Sequence, residues 1–356
     1  MPPNTNNPLR FARFDSGPGR TERLLVSVFI ALVCTSFYWG ASSSPDYISD
    51  IEQVWHASGA MLRGMNPYSV VGPGLQFDIE FPLYYPLPTM LAFLPLATLP
   101  LELAQLVFTF ASACLLAYAI TVNGWHRLPI FLSGSYVGAM ASVQWSPLLT
   151  AAFVLPWLGP LLLLKPNIGV AIAAASSDRR LLRWCILGGG ALVLLSLVVQ
   201  PSWPVGWLRL VRSAPHFTPP VLLPGGFLVL LALSRWRRPE ARLLVALACV
   251  PHTTLVYEAL PLMLIPKTWR ESFLLATLSF LAMVLQAYLD SRVAPVDPEV
   301  MGAFQEWVTT AGMLLIALMY LPATILILRR PNEGDLPAWL MLIRRMPLKR
   351  VDPTGT

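Results

Sequence analysis

Residues 181–200 read LLRWCILGGGALVLLSLVVQ, and Arg183 is the only charged residue in this run. An α-helix needs about 20 mainly apolar residues to cross the hydrocarbon core of a bilayer. Three more runs have similar length and character, at 24–43, 102–121 and 307–328. Their apolar residues are continuous and do not alternate with the period of a half-buried strand or a surface helix. The sequence therefore predicts an all-α, polytopic membrane bundle.

Composition supports this prediction. The chain has 356 residues, of which 55% are hydrophobic and 12% are charged, with a mean hydropathy of +0.60. Soluble domains carry about 25% charged residues. The sequence contains no CxxC, HExxH, P-loop or GxGxxG motif. We therefore expect no bound metal or cofactor, and we attribute the net charge of +6 to membrane orientation and not to nucleic acid.

Arginine clusters indicate which segments share a side of the membrane. They occur at 178–183, at 235–242 and from Arg329 onward. Because basic loops stay in the cytoplasm, these segments should lie with the basic N-terminal segment 1–23. We expect a multi-pass protein of the plasma or inner membrane, with a transmembrane domain at 24–330 and a cytoplasmic basic tail at 331–356.

The loop 44–85 has the opposite character. It carries five acids against a single Arg63, so we place it on the extracytoplasmic side. The apolar residues between 235–242 and Lys267 suffice for only one crossing, which would move the C-terminal tail outside. Two half-helices that meet at Pro251–His252 restore the parity, because proline breaks a helix.

The segment 146–176 has a similar pattern of short apolar runs. Prolines interrupt it at Pro147, Pro156, Pro160 and Pro166. Broken helices at membrane depth persist only where they pack in protein or line a cavity. We predict a bundle of about ten to eleven helices, several of them short or re-entrant, around an outward-facing cavity.

Residues 50–68, DIEQVWHASGAMLRGMNPY, predict an amphipathic helix on the outer leaflet that ends at Gly64 and Asn66–Pro67. Glu52, Gln53, His56 and Arg63 fall away from its apolar face. That face comprises Ile51, Val54, Trp55, Ser58, Met61, Leu62 and Met65. Asp50 then has two interpretations. Ser49-x-x-Glu52 matches a capping box, so Asp50 is either a first-turn acid that suits the helix dipole or a functional carboxylate.

This region resembles a known protein family. The resemblance extends from about residue 24 to residue 290 and is dense between 50 and 100, where its pattern begins with Asp50. The matching residues are Asp50, Val54-Trp55, Ala57, Leu62, Gly64, Asn66-Pro67-Tyr68, Phe81, Tyr85-Pro86-Leu87, Pro95-Leu96, Gln144 and Leu164-Lys165-Pro166. In this order the chain resembles glycosyltransferase family 87 of the GT-C superfamily. It departs from the family pattern in four places: no aromatic residue flanks Asp50, Val54 replaces Tyr, Leu87 replaces a second Pro, and Val143 replaces the Gly before Gln144.

The resemblance implies an activity. Such enzymes, which include mycobacterial mannosyltransferases and arabinofuranosyltransferases, use polyprenyl-phosphate sugars. They transfer the sugar with inversion to an extracytoplasmic glycolipid or glycan acceptor, and Asp50 carries over as the general base. The phosphate leaving group needs little proton donation, so one carboxylate suffices. It needs positive charge instead.

Further site residues are candidates on the same basis, with His252 as a second catalytic residue at the proposed helix break. The substrate-binding candidates are Arg63, Asn66, Tyr68, Glu80, Tyr85, Gln144, Lys165, Arg209, Arg212, Tyr257 and Glu258. Each has a plainer interpretation. Lys165 can snorkel, Arg63 can hold lipid head groups, a lone histidine is usually a core residue, and tyrosines favour membrane interfaces.

Two other classes of function stay open. A multi-pass transporter or lipid flippase usually places ionisable residues at mid-membrane, whereas most acids here lie in the first outer loop. A non-catalytic assembly protein would use Asp50 only as a helix cap. On the leading interpretation the partners are the polyprenyl-phosphate sugar, a glycan or glycolipid acceptor and membrane lipids, with no nucleic acid.

Overall fold

The computed structural model describes residues 18–42, 47, 49–214, 217–251, 253–291 and 301–343, and for 301–307 and 342 only the backbone. Within these ranges the chain is helical and contains no β-strand, which confirms the all-α prediction. The α-helices are α1 (Arg20–Ser42), α2 (Asp50–Leu62), α3 (Leu87–Ala97), α4 (Leu101–Ile120), α5 (Gly134–Ala141), α6 (Ser146–Ala152), α7 (Pro166–Ala175), α8 (Arg179–Val199), α9 (Trp203–Arg212), α10 (Pro239–Cys249), α11 (Trp269–Asp290), α12 (Val308–Leu328) and α13 (Ala338–Ile343). A single helical turn lies at Pro67–Val70, and long 3₁₀ segments lie at Pro156–Leu163, Gly226–Arg235 and Val256–Leu264.

Five of the described helices are long and apolar enough to span a bilayer: α1, α4 with its 3₁₀ extension to Asn123, α8, α11 and α12. The four apolar runs predicted as spans correspond to α1, α4, α8 and α12. Both α8 and α12 contain a π-helical turn, at Cys185–Gly189 and Ile316–Tyr320. The protein is therefore a membrane protein by the length and composition of its helices.

Three helical hairpins lie between these long helices in the sequence, and each is built from two short helical arms. Hairpin A runs through α5 and α6, hairpin B through Pro156–Leu163 and α7, and hairpin C through α10 and Val256–Leu264. Proline stands at the first or second position of α6 and α7, where its missing N–H costs nothing. The predicted breaks in 146–176 and near Pro251 are thus confirmed, since α10 ends at Cys249.

Hairpin C returns to the end of the bundle from which it starts. Glu240, at the start of α10, forms an ion pair with Lys267, which follows the second arm, at 3.2 Å. Two residues on opposite ends of a membrane-spanning segment could not meet in this way. The apolar residues between them therefore form two arms of one hairpin and not one span.

Arginine side chains close the end of the bundle to which the hairpins return. Arg242 donates to the carbonyls of Ala175, Trp236, Arg237 and Asp335 at 2.8–3.1 Å. Comparable bonds join Arg127 to Pro266, Arg235 to Leu328 and Arg330, Arg238 to Pro331, and Arg330 to Ile265. Helix ends leave carbonyls without intrahelical partners, and a guanidinium offers five donors. We call this the arginine end.

The opposite end holds α2, α9 and the loop between α2 and α3. Gln53 of α2 is buried and donates to the carbonyls of Phe81 and Pro82, at 2.6 and 3.1 Å. Leu62, by contrast, is exposed. The predicted assignment of faces on α2 is therefore wrong at these two residues, because the loop after α2 supplies carbonyls that compensate for burying an amide. The end of α2 is confirmed at Gly64, whose φ of 71° suits glycine.

The hairpin makes a labelling prediction. With the four native cysteines replaced by alanine, single cysteines at Arg237 and Lys267 should react with maleimides from the same side of the membrane. Both positions are exposed and flank hairpin C. Permeant and impermeant reagents applied to intact cells and to inverted vesicles would measure this. If the two positions label from opposite sides, the segment crosses once and the hairpin is wrong.

Candidate active site

Asp50 is the first residue of α2, and its backbone N–H donates to the Ser142 carbonyl at 3.1 Å. The capping-box alternative for this helix is wrong, because the Ser49 side chain caps no backbone N–H. Its hydroxyl instead accepts a hydrogen bond from Gln105 Nε2 of α4, at 2.7 Å. The α2 N-terminus is therefore fixed by contacts to other segments of the bundle.

Gln144, at the tip of hairpin A, links Asp50 to the interior. Its side-chain amide donates to Asp50 Oδ2, and its Oε1 accepts from Lys165 Nζ at 3.0 Å. The preceding Val143 has a φ of 49°, a left-handed conformation that is strained for a β-branched residue. The Gln144 N–H closes this turn onto the Ala139 carbonyl at 2.8 Å. The tip thus holds strain while it directs Gln144 at Asp50.

Lys165, at the tip of hairpin B, forms an ion pair with Glu258 of hairpin C at 2.7 Å. The two side chains are 13% and 1% exposed, so both are largely removed from solvent. Thr253 donates to the same Glu258 oxygen at 3.3 Å, and Lys165 Nζ lies 5.1 Å from the centre of the Tyr257 ring. Glu258 Oε2 is buried without a hydrogen-bond partner among the described residues.

Asp50, Gln144, Lys165 and Glu258 thus form one continuous chain of contacts, which we call the tip network. Each member comes from a different segment: α2, hairpin A, hairpin B and hairpin C. A hydrogen-bonded chain of this kind fixes the orientation of every side chain in it. The structure therefore brings together four residues that the sequence had nominated separately.

Asp50 combines surface exposure with many protein neighbours. It is exposed by surface area, yet enough protein surrounds it that burial raises the pKa of its carboxyl above the ordinary value. The Lys165 charge and the Gln144 hydrogen bond oppose the rise in pKa, while the Glu258 and Glu80 carboxylates add to it.

Tyrosines lie beside the network. Burial raises the pKa of the Tyr85 hydroxyl well above its ordinary value, and the charges of Asp50 and Glu258 raise it further. Tyr85 therefore stays a neutral phenol within the electrostatic reach of both acids. Tyr68 donates to the Tyr85 carbonyl at 3.1 Å, and so it supports the loop that carries Tyr85.

Other predicted site residues lie apart from the tip network. Arg63 is exposed at the end of α2, 5.3 Å from the centre of the Phe77 ring, and Arg209 and Arg212 are exposed on α9. Asn66 caps the turn Pro67–Val70 and accepts from Gln200 at 2.9 Å. Glu80 is exposed. His252 lies outside the described residues.

Sequence reasoning missed three contributors: Thr253, Gln105 and the Ser142 carbonyl. Gln105 left a signal, because it is an amide within an otherwise apolar predicted span and it proves to be 5% exposed. Thr253 follows the predicted break at Pro251. The Ser142 carbonyl left no signal, because its contact depends on the tertiary position of the hairpin A tip.

Within the described residues no group of three or more His, Cys, Asp or Glu side chains is placed to hold a metal ion. In comparisons with known proteins, no family model, no curated protein and no solved structure matches the chain. The residues and their geometry therefore carry the functional interpretation.

The strained turn at Val143 makes a stability prediction. We expect Val143→Gly to be more stable than Val143→Ala by about 1 kcal/mol, the reverse of the usual order, because only glycine adopts a positive φ freely. Both variants lose the two buried valine methyl groups and only glycine also loses the Cβ, so greater stability of the glycine variant would have to come from the backbone. Thermal unfolding in detergent compares them, and a more stable alanine variant would show that the turn is unstrained.

The ion pair makes a second prediction. Lys165→Met should destabilise the protein by about 3–5 kcal/mol, because it leaves the Glu258 charge buried and unpaired. Adding Glu258→Gln should recover most of that loss, since the double variant buries no charge.

A matched control is Lys267→Met, which breaks the half-exposed pair with Glu240 and should cost less than about 1 kcal/mol. Unfolding in detergent measures all three variants. Additive losses in the double variant would mean that Lys165 and Glu258 are not coupled.

Proposed function

We propose that this chain is a membrane-embedded inverting glycosyltransferase. It moves a sugar from a polyprenyl phosphate to a glycan or glycolipid acceptor, with Asp50 as general base. The observation that carries the proposal is the hydrogen bond from Gln144 that aligns the Asp50 carboxylate, at the start of a helix that the neighbouring Ser49 side chain does not cap. A carboxylate that is oriented by a side chain from another segment is better suited to a catalytic role than to stabilising its own helix.

In the proposed reaction the acceptor hydroxyl oxygen attacks the anomeric carbon of the donor. The bond from that carbon to the phosphate oxygen breaks, and polyprenyl phosphate leaves with the electron pair. Asp50 takes the hydroxyl proton as the new glycosidic bond forms. The raised pKa of Asp50 makes it a stronger base than an ordinary aspartate.

Lys165 acts on Asp50 through Gln144. The pair of Lys165 with Glu258 is already neutral, so together with ionised Asp50 the three groups carry a formal charge of minus one. This net negative charge favours the uptake of a proton by Asp50 and disfavours the binding of an anion such as a phosphate. The phosphate therefore takes its positive partners from outside the network, and the exposed Arg63, Arg209 and Arg212 at the same end are the candidates.

The orientation belongs to the same proposal. The arginine end faces the cytoplasm, together with the N-terminus of α1, and the tip network opens on the extracytoplasmic side. Polyprenyl-linked sugars would then reach Asp50 from the outer leaflet, where the lipid tail stays in the bilayer and the sugar lies at its surface.

One observation favours a second candidate, a multi-pass transporter. Broken helices whose tips meet at an ion pair are the usual architecture of transporter binding sites. A transporter would move its substrate across the membrane unchanged, whereas a transferase forms a new product, so radiolabelled substrate in sealed vesicles separates the two.

The proposed base is tested by Asp50→Asn. The amide keeps the shape of the side chain and accepts the bond from Gln144, yet it cannot take a proton. We expect transfer from radiolabelled polyprenyl-phosphate sugars to fall by about 10²–10⁴-fold with an unchanged melting temperature. Transfer by the wild type should also fall on acidification, because protonated Asp50 cannot act as a base. This loss should begin at a higher pH than for an ordinary aspartate, because the pKa of Asp50 is raised.

A matched control is Asp178→Asn, which alters an acid that caps α8 at the arginine end and should leave transfer unchanged. Equal transfer by the wild type and the Asp50 variant would reject Asp50 as the base.

A further inference from the structure

A hollow lies beside the tip network, between the outer ends of α1 and α4 and the first turn of α2. Its volume is about 360 Å³, within the usual range for small-molecule sites. Its lining residues are Tyr38, Trp39, Ser42, Tyr47, Glu52, Leu101, Glu102 and Gln105. None of the four tip-network residues is among them. We call it the α1–α4 pocket.

The lining defines the chemistry that this pocket accepts. Glu52 and Glu102 contribute two carboxylates, and no lysine, arginine or histidine is among the residues that line it. His56 Nε2 lies 3.6 Å from Glu52 Oε1 but does not line the pocket. A phosphate would therefore meet like charge and find no cation among the lining residues to offset its desolvation. Hydroxyl groups would find hydrogen-bond acceptors, and the aromatic rings offer apolar faces. The pocket suits a neutral ligand with many hydroxyl groups.

Its wall is fixed by hydrogen bonds. Tyr38 Oη donates to Gln105 Oε1 at 2.9 Å, and Gln105 Nε2 donates in turn to Ser49 Oγ at 2.7 Å. Tyr47 Oη donates to the Ala141 carbonyl at 2.6 Å, and its ring meets the Tyr38 ring edge-to-face with centroids 5.8 Å apart. The binding groups are thus aligned before any ligand arrives, which reduces the entropic cost of binding.

The same wall is connected through the chain to Asp50. Ser49 precedes Asp50 in the chain, and Ala141 precedes Ser142, whose carbonyl accepts the Asp50 N–H. The α1–α4 pocket and the base therefore share two short backbone segments. The first turn of α2 thus contributes Glu52 to the pocket and, from a different face, Asp50 to the tip network.

We propose that the α1–α4 pocket binds the acceptor, and that it selects a neutral, polyhydroxylated glycan head group over phosphorylated or otherwise anionic ones. The identification of the ligand as an acceptor rests on the proposed transferase function, whereas the chemistry of ligand binding does not. The charge of the lining keeps the phosphate of the donor out of this pocket, so the two substrates cannot exchange places.

Ligand protection of a cysteine at Leu101 tests the binding. In a chain with its four native cysteines replaced by alanine, Leu101→Cys is labelled with a membrane-impermeant maleimide. The probes are methyl mannoside, methyl glucoside and methyl arabinofuranoside, with mannose 1-phosphate and Ca²⁺ as competitors of other charge. We expect at least one neutral glycoside to slow labelling by about tenfold and both charged probes to leave it unchanged.

Ser69→Cys is the matched control, because Ser69 is exposed at the same end of the bundle and outside the pocket. No probe should change its labelling rate. Protection of Leu101→Cys by mannose 1-phosphate or by Ca²⁺, or by none of the probes, would overturn the inference.

Kinetics separates this inference from the proposed function. Leu101→Trp fills the pocket, whereas Leu103→Trp adds the same bulk at an exposed position on α4. With total membrane glycolipid as acceptor, Leu101→Trp should raise the apparent KM for acceptor about tenfold and leave the KM for donor unchanged. Normal wild-type transfer with no glycoside protection refutes the pocket alone. Glycoside protection with no transfer from any donor refutes the transferase alone.

Discussion

The ion pair between Lys165 and Glu258 is the contact on which the interior of this protein depends. Removing each ion from water costs several kcal/mol, and the pair recovers that cost only because it is close and further hydrogen-bonded, with Gln144 on one side and Thr253 on the other. Gln144, Lys165 and Glu258 each lie at or near the tip of a different hairpin. Nothing within a single hairpin fixes the position of its tip. The pair therefore sets where three hairpins meet, and Gln144 transmits that position to Asp50.

The sequence predicted the features that depend on local chemistry. Span lengths, the proline positions that begin short helices, and the end of α2 at Gly64 all follow from a few neighbouring residues. Asp50, Gln144, Lys165 and Glu258 were each nominated, but their pairing was not, because Gln144 contacts partners 94 and 21 positions away. The capping-box prediction was wrong for a related reason. Gln105, which is remote in sequence, donates a hydrogen bond to the Ser49 hydroxyl, which the local pattern had assigned to a backbone N–H.

The arginine clusters have two roles that the sequence could not separate. Their pattern predicted a shared side of the membrane, and the structure places them at one end of the bundle. There they also bond the carbonyls that helical hairpins leave unsatisfied, as Arg242 does for four separate backbone positions. A bundle with this many broken helices needs such donors wherever its hairpins return. The basic residues are therefore part of the packing as well as a signal for orientation.

Charge is distributed unevenly around Asp50, and this has a consequence for how two substrates would approach it. The tip network is negative overall, the α1–α4 pocket is lined by two carboxylates, and the exposed guanidinium groups of Arg209 and Arg212 lie on α9. An anionic donor is repelled from the first two regions and attracted to the third. On the proposed function, a neutral acceptor meets no such barrier. On the proposed function, this distribution of charge favours departure of the phosphate toward α9 and binding of the neutral acceptor in the α1–α4 pocket.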